Sequence, residues 1–249
     1  MTKRKEIISF VNEFLNSAAI QDKSANGLQV EGREEIKKIV FGVSANAELF
    51  KAAAAHNADM VIVHHGLFWG TQQILTGPFK KRVEILIKND INLAAWHLPL
   101  DMHKDIGNNA AMAKMLGLKK IRPFGKYHGV EIGYCGALSK PQNMAGIKKL
   151  LGAQHPAAEL NFGPAKIETV AIVSGGGYDM LPQAIEKGID LFITGSSEEY
   201  VHETAREGKI NYLGLGHYNS ETYGIKNLMQ IIQKRFKIEV YFVDIPNPL

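Results

Sequence analysis

Two adjacent histidines, His64 and His65, end the apolar run VIVHHG at residues 61–66. Neighbouring side chains on a β-strand point to opposite faces. Adjacent imidazoles therefore share one site only where the strand ends, or where each imidazole binds a different ligand. Two metal ions about 3.5–4 Å apart would provide two targets, because each histidine could then face a different ion.

Two further segments carry metal-ligand residues with the same spacing. In HLPLD, His97 precedes Asp101 by four residues, and in GHYNSE, His217 precedes Glu221 by four. Open α/β sheets bind ligands at the carboxyl ends of their strands, and all six residues fall at or just beyond predicted strand ends. Imidazole with carboxylate suits zinc, iron, manganese or nickel, whereas calcium prefers oxygen ligands only. We interpret the remaining histidines as surface or core residues: His56, His103, His128, His155 and His202.

The chain alternates short apolar runs with amphipathic ones, which predicts an α/β fold with a parallel or mixed sheet. The predicted strands are residues 39–44, 60–65, 91–96, 130–138, 169–174, 190–195, 210–216 and 238–243. The predicted helices are an N-terminal one and those near 46–57, 79–89, 107–116, 142–151, 179–187, 198–207 and 219–235.

An internal echo indicates two related α/β halves. Residues 39–66 and 169–196 each read as a strand ending in Val-Ser, a helix, and an apolar strand opened by Asp59 or Asp190. In this alignment the paired histidines fall opposite Gly195 and Ser196. We therefore expect a site between the halves, with His64 and His65 from one half and His217 and Glu221 from the other.

The division between the halves is expected at the softest segment, RPFGKYHG at 122–129. This gives a first half of residues 1–126 with HHG and HLPLD, and a second half of residues 127–249 with GHYNSE. The last helix and strand could pack back on the first half.

Composition narrows the functional class. Hydrophobic residues make up 45% and charged residues 22% of the 249 residues, as in ordinary globular proteins. No apolar run is long enough for a membrane span. The one cysteine, Cys135, excludes an internal disulfide and is expected in a buried strand, so we expect a cytoplasmic protein. The net charge of +4 is scattered, which allows only weak attraction to nucleic acid.

The chain resembles the NIF-three-like family, also labelled GTP cyclohydrolase I type 2 homologues. The resemblance rests on NGLQVEG at 26–32, VIVHHG at 61–66, HLPLD at 97–101, TGS at 194–196 and GHYNSE at 216–221. It covers essentially the full length, and this chain is a short form without the inserted middle domain of longer members. Many members have an acidic residue where this chain has Ser196.

The resemblance implies two interlinked α/β domains, a toroidal homohexamer and a dinuclear metal centre. The metal ligands that it implies are His64, His65, Asp101, His217 and Glu221. The two divalent ions could be zinc, iron, manganese or nickel. His97 is left outside this ligand set, and we assign it a catalytic role as a proton carrier or as a residue that orients Asp101.

Other signals leave alternatives open. Asn26 and Gln29 could line a substrate pocket or lie in a turn before an edge strand, and the resemblance favours the pocket. SGGGYD at 174–179 matches no phosphate-binding motif and is interpreted as a tight turn. Trp69 and Trp96 could wall the site or simply pack.

Three functional hypotheses follow. The first is a metal-dependent hydrolase that uses metal-bound hydroxide on a nucleotide or another small molecule, since the family label suggests ring opening of GTP. The second is a non-catalytic metal carrier or insertase with the same ligands. The third is a ring-shaped scaffold with weak nucleic-acid binding.

Overall fold

The computed structural model describes residues 2–248 and shows a mixed α/β fold. Its strands are β1 (Thr2–Lys3), β2 (Gly27–Val30), β3 (Glu35–Ile36), β4 (Lys38–Ser44), β5 (Met60–His65), β6 (Asn92–Ala95), β7 (Lys119–Tyr127), β8 (Val130–Gln142), β9 (Ala158–Asn161), β10 (Ile167–Val173), β11 (Leu191–Thr194), β12 (Asn211–Gly214) and β13 (Glu239–Phe242). Its helices are α1 (Arg4–Phe14), α2 (Ala47–Ala55), α3 (Gly77–Lys88), α4 (Leu98–Met102), α5 (Asn108–Met115), α6 (Met144–Leu151), α7 (Leu181–Glu186), α8 (Val201–Glu207), α9 (His217–Ser220) and α10 (Thr222–Phe236).

The chain forms two compact units. The first runs to Leu100 and includes Gly224–Ile245, and the second comprises Asp101–Tyr223 and the last residues from Pro246. Residues 101–126, which the sequence placed in the first half, thus belong to the second unit. The segment expected to be the softest boundary, 122–129, lies in β7 and its tight turn into the antiparallel partner β8.

The first unit is built on a five-stranded sheet in the order β13-β4-β5-β6-β2. Its first four strands run parallel, and β2 closes the edge antiparallel to β6. The strands β4 to β6 are apolar at nearly every position because both faces of the sheet are covered. Helices α2 and α3 contribute Phe50 and Leu86 to the core around Val61 and Leu93.

The second unit is built on a six-stranded sheet in the order β7-β8-β10-β11-β12-β9. Strands β10, β11 and β12 are parallel, while β8 and β9 pair antiparallel on the two sides of that parallel core. The core around Ile172 and Ile193 receives Met112 from α5 and Ile147 from α6. Each unit therefore has three consecutive parallel strands followed by an antiparallel edge strand, as the echo in the sequence suggested.

The same set of hydrogen bonds, made by one asparagine and one aspartate and here called the bracket, recurs in both units. In each unit, an asparagine at the start of a parallel strand accepts a hydrogen bond from the N–H of a glycine. The same asparagine donates a hydrogen bond to the carbonyl of the residue that follows this glycine. These residues are Asn92 with Gly32 and Arg33, and Asn211 with Gly163 and Pro164. One carboxylate in each unit accepts from two consecutive backbone N–H groups: Asp59 from Lys37 and Lys38, and Asp190 from Glu168 and Thr169.

All eight predicted strands and all predicted helices are present, with ends shifted by a few residues. The sequence analysis missed the short strands β1, β3 and β9, the strand β7 and the short helices α4 and α9, while β2 is the edge strand that was one alternative for the segment of Asn26 and Gln29. Cys135 lies in β8 as expected, but the expectation of full burial is wrong because its side chain is partly exposed. Within residues 2–248, none of the helices combines the length and apolar character that crossing a membrane requires.

Replacing Asn92 or Asn211 by alanine should destabilise the protein. Both side chains are buried, and each substitution leaves backbone donors and acceptors unsatisfied, so we expect a loss of about 2–4 kcal/mol in the free energy of unfolding. Chemical denaturation measures this loss. Asn89→Ala is the matched control, because the Asn89 side chain is exposed and binds the Ile85 carbonyl of its own helix. A loss below about 1 kcal/mol for both buried variants would contradict the shared bracket.

Candidate metal centre

His64 and His65 lie at the carboxyl end of β5 in the first unit. His64 is fully buried, and its Nδ1 lies 3.0 Å from the carbonyl oxygen of Trp96. A carbonyl only accepts hydrogen bonds, so Nδ1 carries the proton and the lone pair is on Nε2. The Nδ1 of His65 lies 3.1 Å from the Ser44 hydroxyl at the end of the neighbouring strand β4.

His97 follows β6 and is supported by a carboxylate that the sequence analysis did not identify. Its Nδ1 donates to Asp22, with distances of 3.0 Å to Oδ1 and 3.2 Å to Oδ2. The Asp22 side chain also accepts from the backbone N–H groups of Ser24 and Leu98 and from the Asn26 amide. Burial would raise the pKa of Asp22, but the hydrogen bonds from His97, Asn26 and Ser24 hold it well below its usual value. Asp22 is therefore ionised behind the imidazole.

These three imidazoles form one group. The ring centroids are 4.6 Å apart for His64 and His65, 5.1 Å for His64 and His97, and 5.5 Å for His65 and His97. One ring nitrogen from each lies within 4.8 Å of those of the other two. The pair that strand alternation would separate thus meets at the strand end, together with His97. Trp69 covers His97 with an edge contact at 4.9 Å between centroids.

Asn26 and Gln29 brace the segments that carry these histidines. The Asn26 side-chain oxygen accepts from the backbone N–H of His97, at 2.8 Å. Gln29 accepts from the N–H of Leu67, just after the histidine pair, and donates to the Ala25 carbonyl. Contact with substrate stays a prediction for both residues.

Asp101, in the second unit, accepts hydrogen bonds from one amide and one hydroxyl. It is 5% exposed, and its Oδ1 accepts from the Asn108 amide and the Ser174 hydroxyl, both at 2.8 Å. Asn109 fixes the neighbouring backbone because it accepts from the N–H of Ser174 and donates to the Ile132 carbonyl. Two adjacent asparagines followed by apolar residues, as in GNNAAM at 107–112, are the sequence signal that could have pointed to these hydrogen bonds around Asp101.

His217 and Glu221 lie at the two ends of the short helix α9. His217 Nε2 is 3.3 Å from Glu221 Oε2, and the glutamate side chain is 3% exposed. The Ser196 hydroxyl lies 2.9 Å from His217 Nδ1. Ser196 is therefore the partner of this imidazole.

Gly175 makes room for these two side chains. It lies in the left-handed region, at φ +61°, and a Cβ there would overlap Glu221 Oε1 and come within 3.1 Å of His217 Nε2. The SGGGYD segment is the expected tight turn, which continues into a short 3-10 helix at Gly177–Met180. The glycine in this turn leaves the space that the side chains of Glu221 and His217 occupy.

The donor set fits a divalent transition metal. The described residues include histidine, aspartate and glutamate side chains whose donor atoms could hold an ion. Imidazole with carboxylate suits zinc, iron, manganese or nickel. Oxygen partners on Nδ1 are the usual support for metal-binding imidazoles, because they fix the tautomer and the orientation of the ring. Buried carboxylates, too, are typically paired or bound to metals.

Comparisons with known proteins identify the family of this chain. A family model described as Duf34/NIF3 (NGG1p interacting factor 3) matches residues 2–248. The chain belongs to the Duf34/NIF3 family. Relatives named GTP cyclohydrolase 1 type 2 homolog include one from Archaeoglobus fulgidus, which is 45% identical over 98% of each chain, and one from Pyrococcus abyssi, which is 40% identical over 99% of this chain and 100% of the relative.

Solved structures show the same fold over the whole length. The protein ybgI, described as of unknown function, aligns with a TM-score of 0.92 at 38% identity, and a protein from Thermus thermophilus aligns with a TM-score of 0.89 at 35% identity. Both alignments cover 100% of each chain.

Removing the hydroxyl behind an imidazole should weaken metal binding. We expect Ser44→Ala and Ser196→Ala each to lower metal affinity about 10–100-fold, because the ring loses the group that orients it. Competition with a chromophoric chelator measures this effect. Ser139→Ala is the control, since its hydroxyl binds the Gly117 carbonyl and should leave the affinity unchanged. Equal affinities for all three variants and the native chain would contradict the supporting role.

Proposed function

We propose that this Duf34/NIF3 protein is a metal-dependent hydrolase with two divalent ions per chain. The proposed ligands are the five that the resemblance implies: His64, His65, Asp101, His217 and Glu221. Bound divalent ions would supply a Lewis acid and lower the pKa of a bound water toward about 7. The curated relatives carry the name GTP cyclohydrolase 1 type 2 homolog, so the proposed substrate is a nucleotide or a similar small molecule.

The observation that carries the proposal is the orientation of the imidazoles. In His64, His65 and His217, Nδ1 meets a carbonyl or hydroxyl oxygen at 2.9–3.1 Å. The carbonyl behind His64 places the lone pair of that ring on Nε2, which becomes the atom that can bind a metal, and the serine hydroxyls behind His65 and His217 hold those rings in a fixed orientation. A histidine that serves only packing has no need for this arrangement, and its repetition in both units favours a common purpose.

His97 is proposed as the residue that transfers a proton. Asp22 holds its Nδ1 proton and is ionised, so Nε2 is the atom at which a proton can be taken up or released. The carboxylate stabilises the imidazolium form that would arise during the reaction. Asn26 fixes the backbone of His97 and also binds Asp22, which makes the pair rigid.

A homohexamer is proposed from the family resemblance. The large apolar side chains that the first unit exposes are the residues to test for contact between protomers: Leu28, Ile74, Leu75 and Ile87.

Variants of the ligands and of His97 should separate metal binding from catalysis. The chain reloaded with zinc, iron or manganese should hold about two equivalents, and His64→Ala or Glu221→Gln should hold fewer. His97→Ala should keep two equivalents, whereas hydrolysis of GTP should fall about 10²–10⁴-fold because the proton carrier is lost. Metal analysis and chromatography of GTP on the same samples measure both quantities.

His155→Ala is the control for these variants, because His155 is an exposed residue and should change neither quantity. Metal content near zero after loading contradicts the metal centre. Two bound metals without turnover of any nucleotide favour the carrier hypothesis instead. Loss of metal in His97→Ala makes His97 a ligand and removes its proposed catalytic role.

Light scattering tests the assembly. We expect a particle of six times the 27.5 kDa protomer mass at micromolar concentration. Replacing Ile74 and Leu75 by serine should shift the distribution toward smaller species if the apolar surface joins the protomers. A monomer mass for the native chain contradicts the hexamer.

A further inference from the structure

The second unit carries a cavity to which the proposed hydrolase chemistry gives no role. Its volume is about 370 Å³, within the usual range for small-molecule sites. The segment that follows α6, the end of β12 and the residues around the start of α10 line it. None of its lining residues is a carboxylate, a lysine or an arginine. A ligand in this cavity therefore meets no acidic side chain, lysine or arginine.

The internal repeat shows which residues occupy the equivalent place in the first unit. The antiparallel edge strands pair in the same register in both units. Gly27 lies opposite Ala95, and Ala158 lies opposite Gly214, and these two partners are equally far along the chain from the bracket asparagines. The residues around the edge strands of the two units can therefore be compared one by one.

Two residues that line the cavity are smaller than their counterparts in the first unit. In the common register, Leu215 corresponds to Trp96 and Ala153 corresponds to Asp22. The Trp96 indole is fully buried and donates to Asn12 of α1, and the Asp22 carboxylate accepts from the His97 ring. Protein interiors are close-packed and rarely leave large voids. The second unit thus has smaller side chains at both positions and an open cavity beside them.

The cavity combines apolar residues with side-chain amides. Leu151 and Leu215 are apolar lining residues, and Tyr223 is the aromatic one. Gln154 and Asn219 each contribute an amide, which can both donate and accept hydrogen bonds. The Asn219 Nδ2 donates to the Leu215 carbonyl at 3.1 Å, whereas the Gln154 amide makes no hydrogen bond with the other residues that the structure describes. An apolar surface with a few polar groups is typical of a small-molecule site.

Helix α9 separates the cavity from the proposed metal ligands of this unit. His217 and Glu221 are four residues apart, so they lie on one face of the helix, where His217 Nε2 is 3.3 Å from Glu221 Oε2. Asn219 is two residues from each of them and lies on the opposite face, where it lines the cavity. The cavity is therefore a site of its own and not a part of the metal centre.

We propose that this cavity binds a neutral heterocyclic ring of the nucleobase class. The leucines and Tyr223 contact the faces of the ring, because apolar and aromatic side chains stack on bases of any sequence. Gln154 and Asn219 pair with an edge of the ring that both donates and accepts hydrogen bonds, as side-chain amides do with adenine. The inference goes beyond the hydrolase proposal, since none of the proposed ligands or proton carriers takes part.

Equilibrium binding to the metal-free protein tests the inference. The probes are adenosine, whose base presents a donor beside an acceptor, and purine riboside, which lacks the amino donor. Each is titrated calorimetrically into the full-length protein after a chelator has removed metals, and again after reloading with zinc. We expect one adenosine per chain in both samples. Purine riboside should bind about 2–10-fold more weakly, because one hydrogen bond is lost.

Variants that fill the cavity provide the second readout. Ala153→Leu and Leu215→Trp should each weaken adenosine binding about 5–100-fold, because the added side chain takes the space of the ring and its contacts are lost. Gln154→Ala should weaken it about 2–10-fold. Ala145→Leu, on the exposed side of α6, is the matched control and should bind as the native chain does. Thermal unfolding identifies the variants that fold, and Ala153→Leu decides the question if Leu215→Trp does not.

The outcomes distinguish this inference from the proposed function. Adenosine binding to a metal-free chain that hydrolyses nothing after reloading supports the inference and leaves the hydrolase proposal to fail alone. Binding that disappears with the metals overturns the inference, because the ring is then at the metal centre. Unchanged affinity in folded Ala153→Leu and Gln154→Ala also overturns it, as does equal affinity for the two probes or no saturable binding at millimolar concentration.

Discussion

The hydrogen bond between an imidazole Nδ1 and an oxygen atom is the interaction on which the candidate centre depends. A neutral histidine can bind a metal through one ring nitrogen only when the proton is on the other. His64 places that proton against a backbone carbonyl and His97 places it against a carboxylate, while Nδ1 of His65 and of His217 each pairs with a serine hydroxyl. Parallel strands provide the partners of His64, His65 and His217, because they bring several strand ends to the same edge of a sheet, whereas Asp22 comes from the segment before the antiparallel strand β2. The fold thus matters to the chemistry mainly through where its strands stop.

The two units share a scaffold and differ in the side chains that it carries. The asparagine and aspartate brackets tie the strand starts in both units, far along the strands from the ligand-bearing ends. Such a bracket preserves the sheet while the opposite ends change. The antiparallel edge strands β2 and β9 occupy equivalent places in the two sheets. The residues that precede β9 by the same distances as Asp22 and Asn26 precede β2 are Ala153 and Ala157. The second unit therefore has no carboxylate at that position to place behind an imidazole.

Periodicity and composition predicted the fold well, because the buried parallel strands are continuous apolar runs with clear turn signals. The edge strands β7 and β9 were missed because they have few apolar residues and carry charged ones: Lys119 and Lys120 in β7 and Glu159 in β9. These strands form because they pair with a neighbouring strand, and their sequences lack the apolar pattern of a strand. Asp22 was missed for a related reason. Its role arises from an Asx turn in QDKSANG, where the carboxylate binds the N–H two residues on, and from contact with His97, which is distant in sequence.

The register of the strands bears on how His97 and His217 correspond. Asn92 and Asn211 are equivalent through their brackets, and His97 is the fifth residue after the first, whereas His217 is the sixth after the second. The echo seen in the sequence is therefore out of step by one residue at the histidines. Their partners differ as well, since the Asp22 carboxylate lies behind His97 and the Ser196 hydroxyl lies behind His217. The His97 ring differs from its counterpart in both its position and its partner, and this argues that the shared His-x-x-x-acid spacing conceals two different roles.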